Sequence, residues 1–121
     1  MMIEVTDVTF EQTIAQGIVF LDFWASWCGP CRAFAPIYER AATTHSDIVF
    51  GKVDTEKERA LAAAFEVRAI PTLMAFRDGI LVFVQPGALP AASLEKLIEQ
   101  VRALDMDDVR RRIREQERSA G

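Results

Sequence analysis

The sequence predicts an α/β protein in which one mixed central β-sheet carries helices on both faces. Three observations predict this fold class. Strand-like and helix-like apolar periods alternate along the 121 residues, as a βαβαβ unit followed by a β-hairpin and a helix. The stretch Ile18–Trp24 (IVFLDFW) is apolar on both faces, which is typical of a central strand covered by helices. Asp78-Gly79 is a two-residue turn signal, so the last pair of strands is antiparallel.

The chain is predicted to begin with a short strand, a short helix and the central strand. Ile3–Val5 is the first strand candidate. Thr9 and Gln12 have the spacing of a capping box at the start of a helix, and Gly17 ends that helix. The central strand Ile18–Trp24 follows directly.

The next three elements continue the alternation. Residues Pro30–Thr44 have a helical pattern, with Pro36 inside it as an expected kink. A strand is predicted at Ile48–Val53, and an alanine-rich helix at Glu56–Phe65.

The last part of the predicted domain is a hairpin followed by a helix. Its strands are Thr72–Arg77 and Ile80–Val84, on either side of the Asp-Gly turn. Apolar residues then recur at helical spacing over Ala91–Leu104. We therefore expect one domain over residues 1–104, because a chain of this size is typical of a single core.

Residues 105–121 differ in composition from the rest of the chain. They hold five arginines and five carboxylates, a balance typical of a solvated helix face. Met106, Val109 and Ile113 are the only sizeable apolar residues in residues 106–121, too few to anchor a core. We expect a helical or frayed tail that the chemistry of the domain does not need.

Composition and charge exclude several classes of function. The formal net charge of −4 argues against a nucleic-acid-binding protein, which needs a basic face. No apolar run is long enough for a spanning helix, so no membrane association is expected. The first basic residue is Arg32, so the start of the sequence lacks the charged region of a secretory signal. These features predict a cytoplasmic protein, and stable structural disulfides are rare in that compartment.

The two cysteines of the chain, Cys28 and Cys31, lie three residues apart at the start of a predicted helix. A zinc site needs four nitrogen or sulfur ligands, and the chain adds only His45 to the two thiols. A structural disulfide would close a loop too small to restrain much of the unfolded chain. Backbone N–H groups and the helix dipole favour an anion at Cys28, a setting that lowers a thiol pKa into roughly the 3.5–7.5 range. The pair therefore favours thiol-disulfide exchange, in which one sulfur attacks and the other resolves.

Four segments carry a resemblance to a known family. They are DFWASWCGPCRAFAP around the cysteines, FGKVDTE, VRAIPTLMAF, and an RDG turn followed by PGAL. In this order and spacing they resemble the thioredoxin family over essentially residues 2 to 104. The resemblance implies the thioredoxin fold and dithiol-disulfide oxidoreductase activity.

The resemblance also implies roles for individual residues. Cys28 matches the attacking nucleophile and Cys31 the resolving thiol. Asp22 matches a buried carboxylate that handles a proton for the resolving thiol, and an aspartate in the middle of an apolar strand is costly unless its site uses it. Lys52 matches a lysine that lies near this carboxylate and tunes it. Pro71 matches a cis-proline that faces the cysteines.

A flat apolar rim for an extended substrate segment is implied as well. Its residues are Trp27, Gly29, Pro30, Ile70, Gly87 and Ala88. Pro86 departs from many family members, because a proline offers no backbone N–H at that edge of the rim. Trp24 is expected to pack in the core.

The sequence thus predicts a monomeric protein-disulfide reductase with no bound cofactor and no metal. By resemblance, its substrates are disulfide-containing proteins and its electron donor is a thioredoxin reductase. The alternative is a thioredoxin-fold adaptor or chaperone-like module that binds apolar segments through the same rim without redox turnover.

Overall fold

The structure is a computed structural model that describes residues 2–120 and contains, over that range, five strands and five helices. In chain order the elements are β1 (Met2–Glu4), α1 (Phe10–Ile14), β2 (Ile18–Trp24), α2 (Gly29–Thr44), β3 (Val49–Asp54), α3 (Arg59–Ala64), β4 (Thr72–Arg77), β5 (Ile80–Pro86), α4 (Ala91–Arg102) and α5 (Met106–Ala120). None of the helices in this range is long and apolar enough to cross a membrane.

The strands form one mixed sheet in the order β1-β3-β2-β4-β5. Strands β1, β2 and β3 are parallel, and β4 is antiparallel to both β2 and β5. One apolar core lies on the face covered by α2 and α4, and a second lies on the face covered by α1 and α3. The predicted fold class, a mixed sheet with helices on both faces, is confirmed.

Strand β2 is central because both of its faces are apolar. Its five middle residues, 19–23, are buried. Phe20 contributes to the core under α2 and α4, and Leu21 to the core under α1 and α3. Since successive side chains of a strand point to opposite faces, this strand joins the two cores and fixes the position of the loop that follows it.

The predicted capping box does not form, and this prediction was wrong. Thr9 precedes α1, but its side chain makes no capping bond to the helix. Its Oγ1 instead accepts a hydrogen bond from the Thr6 N–H, at 3.0 Å. The φ and ψ of Thr9, −96° and −6°, are helical rather than extended, so its hydroxyl does not adopt the usual capping geometry.

Helix α3 is shorter than predicted, because its expected first turn is a local turn made by Asp54. The Asp54 Oδ1 accepts a hydrogen bond from the Glu56 N–H, and its carbonyl accepts bonds from Lys57 and Glu58. An aspartate side chain that bonds the backbone two residues on competes with helix formation. The helix therefore begins at Arg59 rather than at Glu56.

The hairpin forms as predicted but its second strand is longer. Asp78 and Gly79 have φ values of 55° and 81°, the positive values that a type I′ turn requires. Strand β5 continues past Val84 to Pro86, which pairs with Thr72. A proline is compatible with this position because β5 is an edge strand and its missing N–H leaves no ladder bond unmade.

The tail is a helix, α5, that contacts the rest of the protein at its start. Met106 is buried, and Arg110 forms an ion pair of 3.1 Å with Asp78 in the hairpin turn. Residues 114–120 are exposed. The tail thus adds one apolar residue to the buried set, more than its composition suggested, while the boundary of the domain at residue 104 stays a prediction.

Candidate active site

The two cysteines lie where β2 passes into α2. Cys28 is the N-cap of α2, with extended backbone, and its Sγ accepts a hydrogen bond of 3.2 Å from the Cys31 N–H. Pro30 lies in the first turn, where its missing N–H leaves no bond unmade. The two cysteines form a disulfide, with their Cα atoms 5.2 Å apart. The structure therefore holds the oxidised form of a Cys-Gly-Pro-Cys pair at a helix N-terminus.

A small apolar cluster surrounds this disulfide. Ala25, Cys28 and Cys31 are buried together, and Trp24 and Ile70 pack against them. The Cys28 Sγ lies 3.6 Å from the carbonyl oxygen of Ile70. The loop before β4 is therefore in direct contact with the sulfur that the family resemblance predicts to be the nucleophile.

Pro71 follows this contact residue, and the Ile70–Pro71 peptide bond is cis, as the resemblance implied. The Pro71 carbonyl accepts a hydrogen bond of 2.8 Å from the Gly87 N–H. Gly87 has a φ of 87°, a value that glycine adopts without strain. This bond brings the loop after β5 next to the loop before β4, so two separate parts of the predicted rim are adjacent.

The remaining predicted rim residues are exposed or half-buried. Gly29, Pro30 and Ala88 are exposed, and Ile70 and Gly87 are half-buried. Trp27 is a large apolar side chain with 65% of its surface exposed. Its Nε1 donates a hydrogen bond of 2.7 Å to the Glu56 carboxylate. This bond fixes one edge of an indole ring that otherwise projects into solvent.

Asp22 is buried within β2, with 1% of its surface exposed. Its side chain shares a sheet face with Leu73, its register partner on β4, which belongs to the core under α2. Among residues 2–120 no group hydrogen-bonds either of its carboxylate oxygens. Burial raises the pKa of Asp22 to about 7, and the positive charge of Lys52 partly offsets this rise. Asp22 is therefore not a solvent-exposed residue at a strand edge.

Lys52 is the register partner of Asp22 on the neighbouring strand β3. Its ammonium, however, lies over the indole of Trp24, with Nζ 4.4 Å from the ring centroid. This is a cation–π geometry. The structure thus brings Lys52 close to the predicted carboxylate without a direct ion pair between the two.

Two residues near the site were not found by sequence reasoning. Glu56 holds Trp27, although the two are 29 residues apart in the chain. Tyr38 lies on α2 with its hydroxyl 2.8 Å from the Gly51 carbonyl oxygen, and burial together with the charge of Asp22 raises its pKa well above 10. The apolar face of α2 made the burial of Tyr38 predictable, but not its hydrogen bond to the Gly51 carbonyl.

The donors needed for a metal site are missing over the described range 2–120. No group of three histidine, cysteine, aspartate or glutamate side chains there has the geometry to hold an ion. The arrangement instead offers a pair for thiol-disulfide exchange: two bonded sulfurs at a helix N-terminus, preceded in the chain by a strand with a buried carboxylate.

Comparisons with known proteins agree with this chemistry. The family model described as Thioredoxin matches residues 1–100. The chain is 52% identical over 120 residues to "Putative thioredoxin 2" of Streptomyces coelicolor, covering 98% of this chain and 90% of that protein. It is 41% identical over 99 residues to "Thioredoxin 1" of Synechococcus elongatus, covering 79% and 92%.

A solved structure supports the same assignment. The thioredoxin of Malassezia sympodialis (Mala s 13) superposes with a TM-score of 0.77 at 29% sequence identity, covering 85% of this chain and 92% of that one. These matches favour redox turnover over the adaptor alternative. With its Cys28–Cys31 disulfide at the start of α2, the chain belongs to the thioredoxin family and is a thiol-disulfide oxidoreductase that reduces protein disulfides.

Proposed function

We propose that Cys28 attacks the disulfides of substrate proteins and that Cys31 resolves the mixed disulfide. The observation that carries this assignment is the position of Cys28 as the N-cap of α2, with its Sγ accepting the Cys31 N–H. A thiolate at this position keeps that hydrogen bond and gains from the helix dipole. Cys31 is one turn inside the helix and lacks this position.

The first step exchanges one disulfide for another. The Cys28 thiolate attacks one sulfur of the substrate disulfide, forms a Cys28–substrate bond and releases the second substrate sulfur as a thiolate.

The proton of Cys31 is lost in the second step, and Asp22 is the group that we assign to accept it. A pKa of about 7 suits this role, because a general base works best when its pKa is near the working pH.

The second step restores the disulfide seen in the structure. The Cys31 thiolate attacks the Cys28 sulfur and releases the remaining substrate sulfur as a thiolate. The substrate disulfide has then gained two electrons, and the Cys28–Cys31 pair has lost them. Lys52 adjusts the proton affinity of Asp22 through its positive charge.

Substrates dock as an extended segment on the rim around Cys28. Support for this proposal comes from the exposure of Trp27 and from the contact of the Ile70 carbonyl with the Cys28 sulfur. Glycines at the rim let a substrate backbone approach closely. The rim residues are Trp27, Gly29, Pro30, Ile70, Pro71, Gly87 and Ala88.

The oxidised pair is reduced again by two electrons from a thioredoxin reductase. This partner follows from membership of the family, and the chain itself binds no cofactor in the cycle. We propose that the protein works as a monomer in the cytoplasm, where it carries electrons to protein disulfides and maintains the thiol balance of the cell.

Trapping of mixed disulfides tests the roles of the two cysteines. Cys31→Ser should accumulate stable mixed disulfides with cell proteins, because attack proceeds and resolution cannot. Cys28→Ser is the matched control and should accumulate none. The adducts are counted on non-reducing gels after rapid acid quenching. Equal trapping by the two variants would contradict the assignment.

Alkylation of the reduced protein separates reduction from simple binding. Reduction of insulin by NADPH and a thioredoxin reductase should stop completely when both thiols are blocked. An adaptor would instead retain its binding of apolar segments, measured by titration calorimetry with an unfolded client. Turnover that survives alkylation would overturn the proposed cycle.

A further inference from the structure

The position of the Lys52 ammonium is unusual for a cation beside a buried carboxylate. Lys52 and Asp22 are register partners on adjacent parallel strands, so their side chains leave the same face of the sheet. The carboxylate oxygens of Asp22 nevertheless have no hydrogen-bond partner among the described residues. The ammonium lies 4.4 Å from the centroid of the Trp24 ring instead.

Trp24 competes with Asp22 for this cation because of its place in β2. It follows Asp22 by two residues, so both side chains point to the face on which Lys52 lies. A long lysine side chain can reach either neighbour. The face of an indole is the strongest aromatic partner for an ammonium, and it attracts the cation without giving the carboxylate a hydrogen bond.

The Trp24 ring is held in place by packing. It contacts the buried cluster of Ala25, Cys28 and Cys31. Its Nε1 is buried and has no hydrogen-bond partner within residues 2–120, so no polar contact orients the ring. The same side chain therefore touches the redox pair on one side and the lysine on another.

The geometry points to Trp24 as a positioning residue for the resolving step: its ring holds the Lys52 ammonium away from the Asp22 carboxylate. This inference rests on the proposed role of Asp22 as the proton acceptor for Cys31. A direct ion pair would stabilise the charged carboxylate and lower its pKa well below the working pH. With the cation held over the ring, the pKa of Asp22 stays at about 7.

Other charged and titratable groups face this region and must be separated from Trp24. Glu4 on β1 is in register with Lys52, and its carboxylate lies 4.0 Å from the ammonium of Lys57. Asp54 follows Lys52 by two residues on β3, and its Oδ1 accepts the Glu56 N–H. Tyr38 faces Asp22 from α2, and its pKa is raised well above 10. In the oxidised protein the two cysteines carry no proton, so they do not titrate.

The test is a double-mutant cycle read by the titration of Asp22 itself. The carboxyl carbon shift of Asp22 is followed by ¹³C NMR over pH 4 to 9 in oxidised protein. Trp24→Leu should lower the pKa of Asp22 in the parent, because the freed ammonium approaches the carboxylate. In the Lys52→Met background, Trp24→Leu should also lower the pKa of Asp22, but by roughly half a pH unit less than in the parent. The shift is smaller there because no ammonium is left to approach the carboxylate.

The cycle isolates the effect of the Lys52 ammonium on the pKa of Asp22, because Trp24→Leu changes the hydration of the carboxylate equally in both backgrounds. An equal shift with and without Lys52 would show that Trp24 acts only by excluding water, and would overturn the inference. A rise of the Asp22 pKa in Trp24→Leu would overturn it as well.

Fluorinated tryptophan keeps the test decisive if Trp24→Leu does not fold. In a Trp27→Phe background, Trp24 is the only indole, and successive fluorination weakens the ring face while keeping its shape. The pKa of Asp22 should fall in steps as fluorine is added. A pKa that does not change across the series would contradict the inference.

A kinetic measurement separates this inference from the proposed function. The rate of the resolving step is measured against pH in single turnovers of the same variants. If the Asp22 titration moves as expected and the rate profile moves with it, both stand. If the titration moves and the rate profile does not, Trp24 still holds the cation, and the assignment of Asp22 as proton acceptor fails.

Discussion

The two ends of the sheet differ in whether their polar and charged side chains have hydrogen-bond partners. At the active-site end, where β2 finishes and β4 begins, the buried Asp22 carboxylate has no hydrogen-bond partner among the described residues. The buried Nε1 of Trp24 lacks one too. Each of these groups costs free energy, because the burial of a polar atom is not offset here by a hydrogen bond from residues 2–120.

At the opposite end, where β2 begins and β4 finishes, the charged groups are paired. Arg102 makes two hydrogen bonds to Asp47, at 2.7 and 2.9 Å. The pKa of Asp47 is lowered to about 2, chiefly by its hydrogen bonds from Arg102. His45 is bonded to Glu95, with Nε2 2.7 Å from the nearer carboxylate oxygen. These groups connect the end of α2 and the loop after it to α4.

The charged groups at the two ends of the sheet contribute differently to the free energy of folding. Each of these two pairs has at least one exposed partner, and ion pairs in contact with solvent contribute little to stability. The unpaired Asp22 is buried, so its cost is large, and it persists beside the redox pair where a perturbed pKa has a use. Variants at the two ends should therefore change stability in opposite directions.

The largest expected effect is a gain in stability at the active-site end. Asp22→Asn keeps the shape of the side chain and removes its charge. The pKa of Asp22 is about 7 in the fold against 3.8 in the unfolded chain, so the native protein holds a proton that the unfolded chain has lost between these values. The contribution of Asp22 to the stability of the parent therefore falls as pH rises from 3.8 to about 7, and it stays at its lowest level above that pH.

Asp22→Asn should abolish this fall. The variant should match the parent near pH 4 and be more stable above pH 7 by on the order of 4 kcal/mol. Urea unfolding of the oxidised proteins at a series of pH values measures the difference. Glu117→Gln, which alters an exposed carboxylate on α5, is the control and should leave the pH dependence unchanged. A constant difference between Asp22→Asn and its parent across pH would contradict the assigned burial.

The fold was predictable wherever a local pattern decides the structure. Strand β2 and the hairpin turn were placed correctly because an apolar run and an Asp-Gly pair act within a few residues. The start of α3 was placed wrongly because the Asp54 side chain bonds the Glu56 N–H, a local alternative that apolar periodicity does not register. The capping box failed for a similar reason, since Thr9 bonds Thr6.

Residue patterns alone predicted the site only where its residues are contiguous in the chain, whereas the cis peptide bond at Pro71 and the buried Asp22 were expected from the family resemblance. Cys28 and Cys31 stand in one motif whose chemistry follows from their spacing. The bond from Trp27 to Glu56 joins residues from two different loops, and no spacing rule links them. The position of the Lys52 ammonium depends on which of two neighbours on β2 attracts it more, and side-chain competition of that kind is decided only in three dimensions.

A loss of stability is expected at the opposite end when Arg77 is changed. Its Nη1 lies 2.9 and 3.1 Å from the carbonyl oxygens of Val101 and Arg102, the last two residues of α4, and 2.8 Å from that of Leu104 just after the helix. Arg77→Met keeps the apolar stem and removes the donor. The free energy of unfolding should fall by about 2 kcal/mol, since hydrogen bonds to charged groups are among the stronger ones.

The comparison requires that this loss leave the chemistry unchanged. Insulin reduction by Arg77→Met should stay within about twofold of the parent at a temperature where both are folded. Arg118→Met, on the exposed end of α5, is the matched control and should change neither quantity. A large loss of activity in folded Arg77→Met would show that the two ends are coupled.

The smallest effects are expected in the tail, and they depend on where the chain is cut. Removal of residues 114–121 deletes a helical segment that is exposed over 114–120, so the free energy of unfolding should change by less than about 0.5 kcal/mol. Removal of residues 106–121 also deletes the buried Met106 and the Arg110–Asp78 pair, and should lower it by about 1 to 2 kcal/mol. Both truncated proteins should reduce insulin within about twofold of the full chain. Equal stabilities for the two truncated proteins would show that Met106 contributes nothing to the core. A loss of folding on removal of residues 114–121 alone would show that α5 contacts the domain along its whole length.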